Sequence, residues 1–416
     1  MNPVPTPFSN QPGNKPRFWV LLITVLVTLG AAVVAISYLA PLPIPYFQDF
    51  SVMYFTDKGL LNDIPIYDYP AQLVFVKALT SPKFTFFPYP YPPWYALSTL
   101  YIGMLPIQVA ARAWFLINIG MISLSVWLLT PGWKGTWRIL AAFAAIMFIP
   151  AFGLLMVGQY SAPVLLGSAL FVFASRRKSA WLTALGFVLM TFKPHVGGIL
   201  LLAGMAWLVV EAGPGLFRGQ GSPFAQRALW LTIAAGLFLA VIGFVADPAW
   251  PLNWYQSLGR YREIPGVQTC GLCSSLPVAL LKLLTGQEST FASVWLSIFL
   301  VAGLALVLFW RYRSRKMDAA LFMSLSAVIT LLIDPYLLNY DYILLILPLL
   351  WLVRQSRLVW LPYFVPWLLL ALGRSGNVLL VISGIVTFIL ILRRPIDSPA
   401  GEAYNDPDLY TGSIPN

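Results

Sequence analysis

One histidine, His195, and two cysteines, Cys270 and Cys273, are all the imidazole and thiol in 416 residues. That scarcity excludes a multi-histidine metal centre, a four-thiolate zinc site and a disulfide scaffold. Charge is scarce too. Only 10% of residues are Asp, Glu, Lys or Arg, less than half the roughly 25% of a soluble domain. No Walker sequence or glycine-rich phosphate loop is present, so nucleotide chemistry has no visible seat. Against these absences stand 59% hydrophobic residues and a mean hydropathy of +0.77. Disordered, fibrous, coiled-coil and ordinary soluble classes fail together, and the chain reads as an all-α polytopic membrane protein. Its net charge of +11 does not point to nucleic acid. The basic residues form short clusters between apolar runs, as cytoplasmic loop anchors do.

A polar N-terminal tail, 1–17, carries Lys15 and Arg17 and precedes a run over 18–40 that is long enough to span a bilayer. It lacks a small-residue cleavage site and reads as a retained first helix. Segment 41–109 reads as the first extracytoplasmic loop with juxtamembrane helices. Its run at 92–107 is short, opens on Pro92-Pro93 and contains Gly103 and Pro106, so a re-entrant or juxtamembrane helix is expected there. Further apolar runs lie at about 110–130, 137–157, 160–175, 180–192, 195–210, 228–246, 291–310, 318–338, 340–353, 357–372 and 377–392. With 92–107 not crossing, the chain makes twelve crossings and both ends are cytoplasmic. Residues 247–290 form a second large outer loop and 393–416 a cytoplasmic tail. Seventeen of the 26 Lys and Arg, Arg176-Arg177-Lys178 among them, then face the cytoplasm. The compact chain and its short cytoplasmic loops suit a bacterial inner (plasma) membrane.

The same topology gathers the chemically unusual residues on the outer side, where ionisable groups near membrane depth are expensive and mark functional sites. Asp49, in Phe47-Gln48-Asp49-Phe50, sits a few residues beyond the first span. It suits either a general base taking a proton from a hydroxyl or an N-cap for a following helix. Asp57, Asp63 and Asp68 read as turn and cap residues. Lys193-Pro194-His195 breaks an apolar stretch: Lys193 is either a cation for a phosphate or a snorkelling lysine. His195 suits a phosphate oxygen, a sugar hydroxyl or a structural bond. Gln159, after Gly158, is a sugar ligand or a polar cap. Arg112, Asp334, and Asp341 in Asn339-Tyr340-Asp341 complete the outer set, capping being the alternative for the two aspartates. Cys270-Gly271-Leu272-Cys273 would meet an oxidising compartment, where a short-loop disulfide can form.

The order of these features resembles glycosyltransferase family 87, a group of GT-C membrane glycosyltransferases. The resemblance rests on Asp49 after the first span, Tyr91-Pro92-Pro93, Gly158-Gln159, Arg176-Arg177-Lys178, Lys193-Pro194 and Asn339-Tyr340-Asp341-Tyr342, over roughly 18–392. It implies a GT-C-like bundle of about 12 helices with Asp49 as the catalytic aspartate. The donor would be a polyprenyl-phosphate sugar, mannose first among them, and the acceptor a glycan or glycolipid at the extracytoplasmic face. Lys193 would meet the donor phosphate, helped by Arg112, with His195, Gln159, Tyr91 and Asp341 lining the pocket. Many GT-C enzymes carry paired acidic residues in the first loop. Here Phe50 follows Asp49, so neither a metal nor another cofactor is expected. The rival reading is a transporter or flippase of lipid-linked saccharides, which predicts inverted repeats and polar residues at the bilayer midplane; no convincing repeat is visible.

Overall fold

The computed structural model describes residues 48–213, 221–264, 275–286, 297, 317–353, 356–368 and 377–393. The 1–17 tail, the 18–40 span, Cys270 and Cys273, the 291–310 run apart from Ser297, and the tail beyond Arg393 lie outside them. Among the described residues every regular element is helical and none is a strand.

Three short helices come first: α1 (Gln48–Leu60), α2 (Tyr69–Leu79) and α3 (Pro93–Gly103). They enclose an aromatic core of Phe50, Tyr54, Phe55, Tyr89, Tyr91 and Tyr95. Asp68 caps α2 by accepting from the Ala71 amide at 3.1 Å, and Asp63 stands in a left-handed turn with φ 59°. Asp57 departs from the turn or cap expected of it. It lies inside α1 and is fully buried, because the helix runs on through Gly59, whose missing side chain admits Gln72 of α2.

The longer helices follow as α4 (Ile107–Leu129), α5 (Gly135–Met147), α6 (Ile149–Val157), α7 (Ser161–Arg177), α8 (Ala180–Met190), α9 (Pro194–Ala212) and α10 (Pro223–Ala246). Then come α11 (Trp250–Arg262), α12 (Leu276–Thr285) and α13 (Ala319–Ile333). A 3₁₀ turn at Asn339–Leu345 leads into α14 (Ile346–Leu352), and α15 is Asn377–Leu392. Proline opens many of these helices (Pro93, Pro150, Pro194, Pro223, Pro251, Pro277). There its missing N–H costs nothing, and its fixed φ suits the first turn.

Among the described residues only α4, α9 and α10, at 23, 19 and 24 residues, are long and apolar enough to cross a membrane. At about 1.5 Å per residue they measure about 28–36 Å against a hydrocarbon thickness of about 30 Å. The run expected over 137–157 is two helices, α5 and α6, bent by 63° where Pro150 begins the second. Counting that pair as one, the described helices supply four of the twelve crossings expected. Other described apolar runs form shorter helices, such as α7 at 17 residues and α13 at 15, and Asn339–Leu345 tightens into a 3₁₀ turn.

All of α13 is buried, so it is apolar around its whole circumference, as a central helix must be. Helices α7 and α8 touch backbone to backbone. A Cβ on Gly186 would come within 2.7 Å of the Gly167 carbonyl oxygen, the small-residue contact common between membrane helices.

The bundle has two chemically distinct ends. At one, Arg176, Arg177 and Lys178 finish α7, Arg176 lies within electrostatic reach of the α13 cap Asp318, and Lys178 sits 5.3 Å over the Phe224 ring. The other end, 17 helical residues and about 25 Å away along α7, gathers Asp49, Tyr91, Gln159, Lys193 and residues 334–341.

Candidate functional site

Four chain turns build the site. Asp49 lies in the first turn of α1, which opens one residue earlier, so it is not the N-cap. Gly158 ends α6 in the left-handed conformation, φ 71°, a region glycine adopts without steric cost. That sharp reversal sends Gln159 across the end of the bundle. Trp114 of α4 fixes the turn by donating from its indole nitrogen to the Gly158 carbonyl at 2.9 Å.

The Gln159 amide has its orientation set by its neighbours. Its oxygen accepts from the Tyr160 backbone N–H at 2.8 Å and from the Tyr91 hydroxyl at 3.5 Å, which turns the nitrogen the other way. Gln159 Nε2 then donates to Asp49 Oδ2 at 3.0 Å and to the Tyr340 hydroxyl at 2.7 Å. Tyr340 in turn donates to the Asp49 carboxylate, and Tyr160 donates to the Asp49 carbonyl at 2.6 Å. The Tyr160 ring is itself wedged by Tyr91 and Tyr95, at centroid distances of 4.7 and 5.0 Å.

Burial pushes the Asp49 carboxyl above its usual range. Lys193 and the bonds from Gln159 and Tyr340 pull the other way. The outcome is a carboxylate that is partly buried, more basic than a solvated one, and still aimed by two donors.

Lys193 stands at the N-cap of α9 before Pro194 and is 2% exposed, so it does not snorkel. It is ion-paired with Asp341 and donates to Ser161 Oγ at 3.0 Å. Its ammonium also lies 4.6 Å from the centre of the Tyr340 ring. Asp341 uses both oxygens. One takes Lys193 and the Ser161 hydroxyl, and the other caps the 3₁₀ turn by accepting from the Leu338 amide at 3.1 Å. Tyr340 therefore joins two halves, with its hydroxyl in the Asp49–Gln159 group and its ring under Lys193.

The structure thus unites Asp49, Gln159, Tyr91, Lys193 and Asp341 in one network and leaves two expected residues outside it. His195 packs edge-on against Tyr336, centroids 5.7 Å apart at 76°, and its buried Nε2 has no hydrogen-bond partner among the described residues. Arg112, on α4, is 4% exposed, and neither terminal guanidinium nitrogen finds a partner there. Reading the sequence missed Ser161, which touches both Lys193 and Asp341, and Tyr160. It placed Tyr340 only as part of the Asn339-Tyr340-Asp341 turn, with no role of its own. The available signal was position alone, since all three border turns already singled out. Among the described residues no group of three or more His, Cys, Asp and Glu side chains gathers in a way that could hold a metal ion.

A carboxylate poised as a base, a neighbouring ammonium, and an amide and phenol between them can hold a hydroxyl nucleophile against an anionic leaving group. No curated protein and no solved structure matches the chain. The family model described as glycosyltransferase family 87 matches residues 89–335. The matched stretch takes in Tyr91, Gln159, Ser161 and Lys193 and stops short of Asp49 on one side and Tyr340 and Asp341 on the other. It covers more than half the chain and joins the helical, membrane-type architecture to this polar end: the chain belongs to glycosyltransferase family 87, the membrane glycosyltransferases.

Proposed function

We propose that the protein moves a sugar, mannose in the first instance, from a polyprenyl-phosphate donor to an acceptor hydroxyl on a glycan or glycolipid. It would do so with inversion, at the extracytoplasmic face of a bacterial plasma membrane. The observation that carries the reading is the Asp49 carboxylate held by Gln159 and Tyr340 beside the buried Lys193.

The chemistry follows from where the parts must lie. A polyprenol stays in the bilayer, so its phosphate waits at the interface with the sugar pointing outward. Asp49 removes the acceptor proton as the acceptor oxygen bonds to the anomeric carbon. The bond from that carbon to the phosphate oxygen breaks, and the oxygen leaves with the electron pair. Because attack and departure occupy opposite faces, the anomeric configuration inverts. General-base help of this kind is worth typically ~10²–10⁴-fold.

Positive charge stabilises the departing phosphate. The buried Lys193 serves that role, with Arg112 a second buried cation on α4 outside its network. Lys193 is already paired with Asp341, so it meets the phosphate as part of a network. The two terminal guanidinium nitrogens of Arg112 are unpartnered among the described residues, and a buried unpaired cation is costly until an anion arrives. The charge asymmetry supports the sidedness, since Arg176, Arg177 and Lys178 mark the opposite end of α7.

The test is to incubate purified protein in lipid with radiolabelled polyprenyl-phosphate mannose and a glycan acceptor. Sugar appearing on the acceptor with release of polyprenyl phosphate supports transfer. Movement of the intact lipid-linked sugar between leaflets without cleavage overturns it in favour of a transporter.

A further inference from the structure

Near Lys193 a second group of polar atoms has no part in the network described above. Asp334 ends α13 and is 2% exposed. Its Oδ1 accepts from the Tyr336 amide at 2.9 Å, while its Oδ2 is buried with no partner among the described residues. His195 Nε2 is likewise buried with no partner among the described residues, although the residue as a whole is partly exposed. The His195 and Tyr336 rings meet edge to face at 5.7 Å. Tyr261 of α11 adds a second ring, 6.2 Å from that of Tyr336, with the two hydroxyls 3.1 Å apart. Both tyrosines remain partly exposed. The group borders the catalytic end: Tyr261 and Tyr336 lie within electrostatic reach of Asp49, and Asp334 and His195 within reach of both Lys193 and Asp341.

Buried polar atoms are nearly always hydrogen-bonded, so an orphaned acceptor and an orphaned ring nitrogen in one corner call for a ligand with hydroxyls. A phosphate is disfavoured there by the Asp334 carboxylate. A neutral polyhydroxyl ring is not, and its C–H face packs well on tyrosine rings. Resting on the sugar-transfer reading, we infer that His195, Asp334, Tyr336 and Tyr261 form the subsite that reads the hydroxyls of the transferred sugar. In that subsite Asp334 Oδ2 accepts from one hydroxyl and His195 Nε2 bonds another. Both residues are specificity determinants and neither takes part in proton transfer at the acceptor.

The experiment measures equilibrium binding of farnesyl phosphate, farnesyl phosphate mannose and farnesyl phosphate glucose to wild type, Asp334→Asn and His195→Phe in nanodiscs. Asn keeps an oxygen for the Tyr336 amide and Phe keeps the ring contact with Tyr336, and a melting curve verifies that each variant is folded. The expected result is that wild type binds one sugar-bearing lipid at least tenfold more tightly than farnesyl phosphate. Each variant should lose about tenfold of that increment, or of the discrimination between the two C2 epimers, as one lost hydrogen bond to a buried group implies. Affinity for farnesyl phosphate itself should not fall, and removing the Asp334 charge near Lys193 can only raise it. Folded variants that keep the full sugar increment and the wild-type epimer preference overturn the subsite alone. A wild type that binds all three lipids equally overturns it together with the sugar-transfer reading.

Discussion

The ion pair of Lys193 with Asp341 is buried on both sides, at 2% and 0% exposure, and its two halves should respond unequally to substitution. Removing one partner of a buried pair costs roughly 3–5 kcal/mol, whereas replacing both by apolar groups of similar volume is close to neutral. In Lys193→Met the Asp341 carboxylate keeps the Ser161 hydroxyl and the Leu338 amide, so the loss should fall near 3 kcal/mol. In Asp341→Asn an oxygen can still serve the Leu338 amide, but the new NH₂ then faces the Lys193 ammonium. Two donors confront each other, and the loss should approach 5 kcal/mol. The double variant Lys193→Met with Asp341→Leu should recover most of the stability lost in either single variant while transferring no sugar. Melting temperatures in one detergent, with transfer rates alongside, read all four proteins. A double variant that melts below both singles, or an Asp341→Asn that melts above Lys193→Met, would refute this reasoning.

Gln159→Leu removes a bond that favours the charged form of Asp49. The Asp49 carboxyl should then rise further, and the acidic limb of the kcat/KM profile should move to higher pH with a lower plateau; an unmoved limb contradicts the role. Asp57 is fully buried, neither carboxylate oxygen has a hydrogen-bond partner among the described residues, and burial holds its carboxyl well above the usual range. A raised folded pKa means the charged form costs stability as pH climbs through it. Asp57→Asn should therefore melt higher than wild type at alkaline pH, the gap closing as pH falls, with transfer unaffected. Gly167→Val places methyl groups against the Gly186 carbonyl of the neighbouring helix. Overpacking of this kind costs about 1–3 kcal/mol or more, and a wild-type melting curve would contradict the close helix contact.

Much of the site could be read from the chain because turns announce themselves chemically. A glycine before Gln159, a proline after Lys193 and the Asn-Tyr-Asp triplet each interrupt apolar runs, and each is a corner of the same network. How they join could not be read. Gln159 bonds Tyr340, 181 positions away, and nothing local distinguishes Ser161 from any serine opening a helix. Composition fixed the helical class but not the crossings, since apolar content does not reveal that Pro150 breaks a run into two helices bent by 63°. Asp57 was misread for a related reason. An Asp-Lys-Gly sequence looks like a turn, yet the α1–α2 contact at Gly59 carries the helix through it. Arg112 was expected beside the outer cluster, and burial with unpartnered nitrogens is a property that no spacing conveys.

The claim on which the rest depends is that Asp49 takes the acceptor proton. A single-turnover experiment on Asp49→Asn, loaded with labelled polyprenyl-phosphate mannose and mixed with acceptor, measures that step directly, with donor affinity determined in parallel. The expected result is donor affinity within a few-fold of wild type and a transfer rate lower by ~10²–10⁴. Transfer by Asp49→Asn at a rate close to wild type would contradict the assignment and move the base elsewhere.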